Sequence, residues 1–327
     1  MSHEQISRRS LIAYAASVGL AGGLPTARAQ GKYPSKPIRI MVPFGAGGGT
    51  DVVARVWGER ITRATTQAVV IENKVGASGI IGTQAAAGAP ADGYNLLYTS
   101  VAMSINPLVY DKLPYKVDDF VPVIRICSVP FVFIVSANSK LKTLQDLVAA
   151  AKVKPNGLSF GHYGVGQLSH IALVLLMNMA GISMLQVPYK SSANAVGDLI
   201  GDRLDVAIDA STTTIPHVKS GRLRALAITG TQRIEGLPGV PTVAEIYPGF
   251  AGSSWHGIFA PKGTPPEAIS TLNELSQKIV AMPDFRAMLQ GFGLVPAGGS
   301  PADFQKFLIE DSKAWSKVVK DNSIKAE

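Results

Sequence analysis

The sequence predicts two α/β lobes, each a doubly wound, mainly parallel sheet with helices on both faces and a ligand in the cleft between them. Three observations carry that expectation. Short apolar runs of strand length alternate with helical segments along most of the chain. Glycine-rich or hydroxyl-rich junctions stand where strands give way to helices, which is where such sheets bind ligands. Once an amino-terminal segment is set aside, about 300 residues remain, a length at which a single core stops growing and chains divide.

That segment is residues 1–29. Ser7, Arg8 and Arg9 precede a weakly apolar run at 11–24, and Ala27-Arg28-Ala29 offers a small-residue cleavage site, so an export signal removed near Ala29 is expected. A run of about 14 residues is too short to span a bilayer, which takes about 20. The paired arginines and Gly19, Gly22 and Gly23 within the run favour twin-arginine export, with general secretion as the alternative. Both routes lead to the periplasm. Loss of Arg8, Arg9, Arg28 and Glu4 lowers the formal charge from +8 by two. The remaining basic residues are dispersed and few aromatics sit among them, which argues for attraction of anionic solutes and against nucleic acid.

Strands are expected at 38–42, 68–71, 95–99, 158–160, 184–187, 204–208 and 223–228, most of them short and apolar like buried parallel strands. Between them, residues 50–63 place Val53, Val56, Trp57 and Ile61 on one helical face, and a helix over 169–180 ends at Gly181, a suitable left-handed cap. Capping boxes are read at Thr143–Asp146, Thr264–Glu267 and Ser300–Asp303. The last helix spaces Phe304, Phe307, Leu308, Trp315, Val318 and Val319 as a core-facing stripe. Lobe 1 is assigned residues 30–130 and 253–327 and lobe 2 residues 131–252, with crossings near Val129 and Gly252.

The junctions hold the candidate site. Phe44-Gly45-Ala46-Gly47-Gly48-Gly49-Thr50-Asp51 follows a strand and opens a helix, so backbone N–H groups unshielded by Cβ atoms face any anion placed there. A dinucleotide fingerprint wants glycine at Thr50 and a P-loop wants Gly-Lys-Ser/Thr; neither is present, and a carboxylate fits better. A second loop of like design holds His162, Tyr163, Gly164 and Gly166, and further junctions supply Ser100, Val101 and Ala102, then Lys190 and Ser191, then Asp209. Asp209 has a plainer reading as a helix cap, Lys190 as a surface charge and His170 as a packing residue. No cofactor and no metal site is expected, since the five histidines lack metal spacing with carboxylate company. An enzyme is the contrasting class. Gly76-Ala77-Ser78-Gly79-Ile80 breaks the nucleophile-elbow pattern at its last position, and the one cysteine, Cys127, has no evident base nearby.

Across almost the whole mature chain the sequence resembles the tripartite tricarboxylate transporter substrate-binding family, the Bug family of periplasmic receptors. The resemblance is carried by Tyr33-Pro34-Ser35-Lys36-Pro37-Ile38-Arg39, Val42-Pro43-Phe44 with Gly47-Gly48-Gly49-Thr50-Asp51, Asp92-Gly93-Tyr94 and Ile105-Asn106-Pro107. It continues through Val187-Pro188-Tyr189-Lys190, Gly221-Arg222-Leu223-Arg224-Ala225-Leu226-Ala227 and Val240-Pro241-Thr242-Val243-Ala244-Glu245. It implies a hinged, monomeric receptor of the two-lobed, type II-like periplasmic-binding-protein fold that closes on a small carboxylate and delivers it to membrane permease subunits, with the first loop and Asp209 in the site, partly through ordered water. A sensor that presents the solute to a membrane receptor would use the same fold. Gly45 and Ala46 stand where the family usually has two prolines. His162 and Tyr163 replace small residues, and Val101-Ala102-Met103 a more polar stretch. These departures point to an aromatic carboxylate facing Tyr163 or His162, with an aliphatic dicarboxylate as the competitor.

Overall fold

The computed structural model describes residues 33–326; the export signal expected at 1–29 lies outside them. Among the described residues eleven strands fall into two sheets. The first has six, ordered β11-β4-β10-β3-β1-β2, with β1 Ile38–Val42, β2 Val69–Asn73, β3 Asn95–Ser100, β4 Phe120–Val129, β10 Ser254–Pro261 and β11 Val295–Gly298. The second has five, ordered β7-β6-β8-β5-β9, with β5 Phe131–Ser136, β6 Ser159–His162, β7 Leu185–Pro188, β8 Val206–Ala210 and β9 Leu223–Ile228. Two sheets with helices between their strands make the two-lobed α/β architecture that the alternation predicts.

The helices that matter for the site are α1 Gly49–Thr65, α2 Ile80–Ala87, α3 Ala102–Val109, α4 Leu144–Val153, α5 Leu168–Ala180, α6 Ser192–Ile200 and α7 Ser211–Lys219. Four more follow: α8 Val243–Ile246, α9 Pro266–Ala281, α10 Pro283–Gly291 and α11 Pro301–Asp321. The expected helix face is present in α1, where Val53, Trp57 and Ile61 are buried and the Trp57 indole donates to Ser276 at 3.2 Å. Gly181 closes α5 in the left-handed conformation, φ 61°. The boxes at Thr143 and Ser300 form. The one at Thr264 does not: α9 is capped by Pro265 without a side-chain bond, and the Thr264 hydroxyl donates to the Pro261 carbonyl instead. A further box, Thr242 with Glu245, opens α8.

Each sheet is mixed. β1 runs parallel to β2 and β3, and β6 parallel to β7 and β8. The strands flanking the crossings run antiparallel, β10 to β3 and β4, and β5 to β8 and β9. The chain leaves the first sheet at Val129, passes Pro130 and enters the second at Phe131, then returns between β9 and β10. Thr229 stitches the two passages together. Its N–H donates to the Phe131 carbonyl at 2.8 Å, its hydroxyl accepts from Phe131 N–H at 2.9 Å, and its carbonyl accepts from Gly252 N–H at 3.3 Å.

Helix α5 is apolar on nearly every face because it packs on two cores at once. Leu168, Ile171 and Val174 join a cluster with Trp255, Phe304 and Trp315, while Leu173 and Leu176 join Phe133, Phe160 and Phe250. The carboxyl-terminal stripe of α11 lies in the first of these clusters, as its spacing predicts.

Close packing also sets the first junction. A Cβ on Gly82 of α2 would stand 2.6 Å from the Lys74 carbonyl and 2.8 Å from the Pro43 Cα, backbone atoms that cannot swing aside. Gly82→Ala is therefore expected to destabilise the fold by about 1–3 kcal/mol. Urea unfolding would show this as a lower midpoint with an unchanged slope; a wild-type midpoint would mean that α2 can lift from Pro43 at no cost.

Candidate functional site

Because β1, β2 and β3 are parallel, their carboxyl ends and the loops that follow lie at one edge of the first sheet. The first loop is held there by its own polar groups. Asp51, 2% exposed, accepts from Gly47 N–H at 2.8 Å, from Arg55 at 2.9 Å and from Asn73 at 2.9 Å. The same Asn73 amide donates to the Phe44 carbonyl at 2.9 Å. Burial alone would raise the Asp51 carboxyl; Arg55, Gly47 N–H and Asn73 outweigh it and hold the group below the usual carboxylate range. Gly47 takes φ 78°, which lets the loop turn so that Gly48 caps α1. The first N–H groups of α1 have no intrahelical acceptor and carry the positive end of the helix dipole.

Thr50, at the start of α1, is braced from behind. Its hydroxyl lies 3.1 Å from His256 Nε2, and His256 Nδ1 lies 3.8 Å from the Cys127 sulfur. Burial holds His256 neutral, with a pKa of about 3, and pushes the Cys127 thiol up to about 12. A thiol that stays protonated can donate to Nδ1, leaving the Nε2 proton for Thr50. This buried chain of contacts holds the Thr50 hydroxyl in place, and its thiol stays protonated.

At the corresponding edge of the second sheet, β6, β7 and β8 lead into α5, α6 and α7. Asp209, 2% exposed, accepts from the Ser192 hydroxyl and, at 2.7 Å, from Ala210 N–H. The Tyr163 hydroxyl is buried nearby without a well-formed hydrogen bond; burial first, then the Asp209 charge, push its pKa well up. His162 is 1% exposed. Its Nδ1 accepts from Gly164 N–H at 3.2 Å, as His170 Nδ1 does from Gly166 N–H at 3.3 Å, and the two rings lie 4.8 Å apart. Burial, then His162, lower His170 to about 4, so the pair is neutral and pins the second loop.

The two edges meet. A Cβ on Gly49 would stand 3.2 Å from Thr212 Oγ1 of α7, and a cavity of about 150 Å³ lies there, walled by Gly47, Gly48, Gly49, Thr212, Thr213 and Phe292. The Gln167 amide donates to the Ser78 hydroxyl, joining the second loop to the first lobe, and a Cβ on Gly166 would stand 3.3 Å from Val109. A larger hollow of about 610 Å³ around Arg39, Glu72 and Leu96 touches the first lobe alone, and its rim pair is already joined by three hydrogen bonds. Among the described residues no three His, Cys, Asp or Glu stand close enough to hold a metal ion, and no helix is long and apolar enough to cross a membrane.

Residues 53–324 match the profile of the tripartite tricarboxylate transporter family receptor. The chain belongs to that family. The receptor is 36% identical over 300 residues to Protein BugT of Bordetella pertussis strain Tohama I, covering 90% of this chain and 91% of that one. Among solved structures it is similar to an R. palustris protein with adipate, at 33% identity and TM-score 0.82, with 90% of this chain and 99% of that chain covered. It is also similar to the periplasmic binding protein BugD, at 32% identity and TM-score 0.79, with 90% and 100% covered.

The receptor brings together only part of what its sequence singles out. Gly47, Gly48 and Gly49 line the interlobe cavity, and Tyr163 meets Asp209 in the second lobe. Gly45 and Ala46 are exposed at the loop tip, and the Phe44 ring packs 3.4 Å from where a Gly79 Cβ would be. Asp51 and His162 are buried: Asp51 accepts from Gly47, Arg55 and Asn73, and His162 Nδ1 accepts from Gly164 N–H. Val101 is buried in the core cluster, Ser100 accepts weakly from Ala102 N–H at 3.5 Å, Ser191 caps α6, and Lys190 is exposed. The structure adds Thr212, Thr213, Ser192, Asn73, Ser78 and Phe292 to these edges. Ser192 and Thr212 stand in junctions whose hydroxyl content is visible in the sequence. Nothing local marks Asn73, Ser78 or Phe292, which matter only through partners far along the chain.

Proposed function

We propose that the receptor works in the periplasm after export through the twin-arginine route, captures a small carboxylate between its lobes and passes it to the membrane subunits of a tripartite tricarboxylate-type transporter. The lobes are residues 30–130 with 253–327, and residues 131–252. The observation that carries this reading is the apposition of the glycine loop and amino end of α1 to the Thr212 and Thr213 hydroxyls across the cleft. Donors from both lobes meeting over one anion favour the closed form, so the ligand shifts the population toward it. Each charge-assisted hydrogen bond contributes about 1.5–3 kcal/mol, and micromolar affinity needs about 8 kcal/mol in total. Asp209, already an acceptor, suits a ligand hydroxyl or an ordered water better than a second carboxylate. No catalytic residue is assigned, and the chain acts as a monomer.

The ligand's body is the open choice between an aliphatic dicarboxylate and an aromatic acid. The similar structure with adipate supports the first. The inward turn of His162 removes one of the two side chains that favoured the second. Thermal unfolding against a panel of both acid classes tests the proposal: a ligand at 100 times its dissociation constant adds about 2.7 kcal/mol, a shift of several degrees. A selective shift with a dicarboxylate is expected. A shift with benzoate-type acids alone reverses the choice of class, and no shift with any acid defeats the carboxylate reading.

A further inference from the structure

A second cavity, of about 330 Å³, lies at the hinge. Its walls come from both crossings and both lobes: Pro130 on the outward passage, Ser253 on the return, Gly230 from the second lobe, and Phe307, Asp311 and Trp315 from α11. Arg125 of β4 also lines it. The guanidinium lies 4.0 Å from the centre of the Phe307 ring and is partly buried, yet makes no hydrogen bond and no ion pair with any described residue. Asp311 is the neighbouring countercharge, but its two oxygens accept the Trp255 and Trp315 indole N–H groups, each at 2.9 Å. A planar group with five donors, partly buried against an aromatic ring and facing the cavity with no protein acceptor bonded to it, is open to a ligand's acceptor atoms.

We propose that this hinge cavity is a second ligand site, separate from the interlobe cleft, for a small organic carboxylate with an apolar body. The carboxylate matches the guanidinium fork and supplies the missing acceptors in one bidentate contact. The body lies among Phe307, Trp315 and Pro130, an aromatic and apolar wall that a hydrated inorganic anion would not use. Asp311 confines the negative end to the Arg125 side of the cavity, since its own charge repels a carboxylate placed beside the indoles. The inference rests on the geometry around Arg125 and stands whatever the cleft binds.

The chain's three tryptophans provide the test. In a nitrogen-15 spectrum the indole signals of Trp255 and Trp315 report this cavity, whereas Trp57, bonded to Ser276, reports the interior of the first lobe. Titration with benzoate is expected to move the first two signals saturably and leave the third in place. Arg125→Gln should weaken that response at least about tenfold, the share of one charge-assisted contact. Ala314→Phe, which fills the cavity mouth and removes no polar group, should block it even if the Arg125 variant fails to fold. Thr212→Ala, which takes a hydroxyl from the interlobe cleft without forcing the lobes apart, should leave it intact. Three results would each overturn the proposal: no movement at tens of millimolar benzoate, a response unchanged by both cavity variants, or a response lost in Thr212→Ala, which would assign the signals to ligand in the interlobe cleft.

Discussion

Gly49→Val is expected to reduce carboxylate affinity about 100-fold while leaving the protein folded, measured by calorimetric titration with whichever acid gives the largest thermal shift. A Cβ at this position already meets Thr212 Oγ1 at 3.2 Å, and two further methyl groups need space that exists only if the lobes part. Parting them withdraws the Thr212 and Thr213 hydroxyls from the amino end of α1. Two lost charge-assisted hydrogen bonds amount to about 3 kcal/mol or more, which is the 100-fold. Gly49→Ala should fall between, because its one added carbon asks Thr212 to give by only a few tenths of an ångström. Within each lobe no contact changes, so far-ultraviolet dichroism should match wild type. Wild-type affinity in the valine variant would place the ligand away from this apposition.

Stability is expected to fall as pH drops from about 6.5 to 4, before most carboxylates titrate. His162, His170 and His256 are buried and neutral, and burial is the leading cause of the lowered pKa in each, reaching about 4 for His170 and about 3 for His256. Unfolded histidine takes up its proton near pH 6.5. Between the folded and unfolded values the unfolded chain therefore binds more protons, so stability is complete above 6.5 and lost as pH falls. Each such histidine contributes at most about 1.4 kcal/mol per pH unit, so His170 and His256 together cost on the order of 3 kcal/mol between pH 6 and 4.5. The Asp51 carboxyl, held low, acts in a separate window: its contribution is present above its unfolded value near 4 and disappears only below it. Urea midpoints at pH 7.5, 6, 5 and 4.5 would show the slope, and His170→Gln should remove about one proton from it. A flat profile to pH 5 would mean that the histidines reach solvent in the folded state.

Much of the candidate site was legible because it is local. The apolar run Ile38–Val42 ending in Phe44 and three glycines specifies a strand, a tight turn and a helix start without reference to anything distant. The boxes at Thr143 and Ser300 are equally local, each needing only a side chain three residues away. Thr264 shows the limit of such reasoning, since its hydroxyl had a competing acceptor in the Pro261 carbonyl and took it. Strand direction was less legible. A buried strand such as β5 has the same apolar composition whether its neighbours run parallel or antiparallel, and the fold sets it antiparallel to β8 and β9.

By itself, the sequence determined the alternation of strands and helices, the glycine loop that opens a helix, and family membership, all of which depend on residues close together in the chain. Tertiary structure alone decided that Asp51 braces the loop from within, that His162 turns inward against His170, that Thr50 leans on His256 across 206 positions, and that Thr212 faces Gly49. The reason is physical: a side chain's type is fixed by its codon, but whether its polar atoms reach a ligand or a neighbour depends on which neighbours long-range packing brings within hydrogen-bond distance.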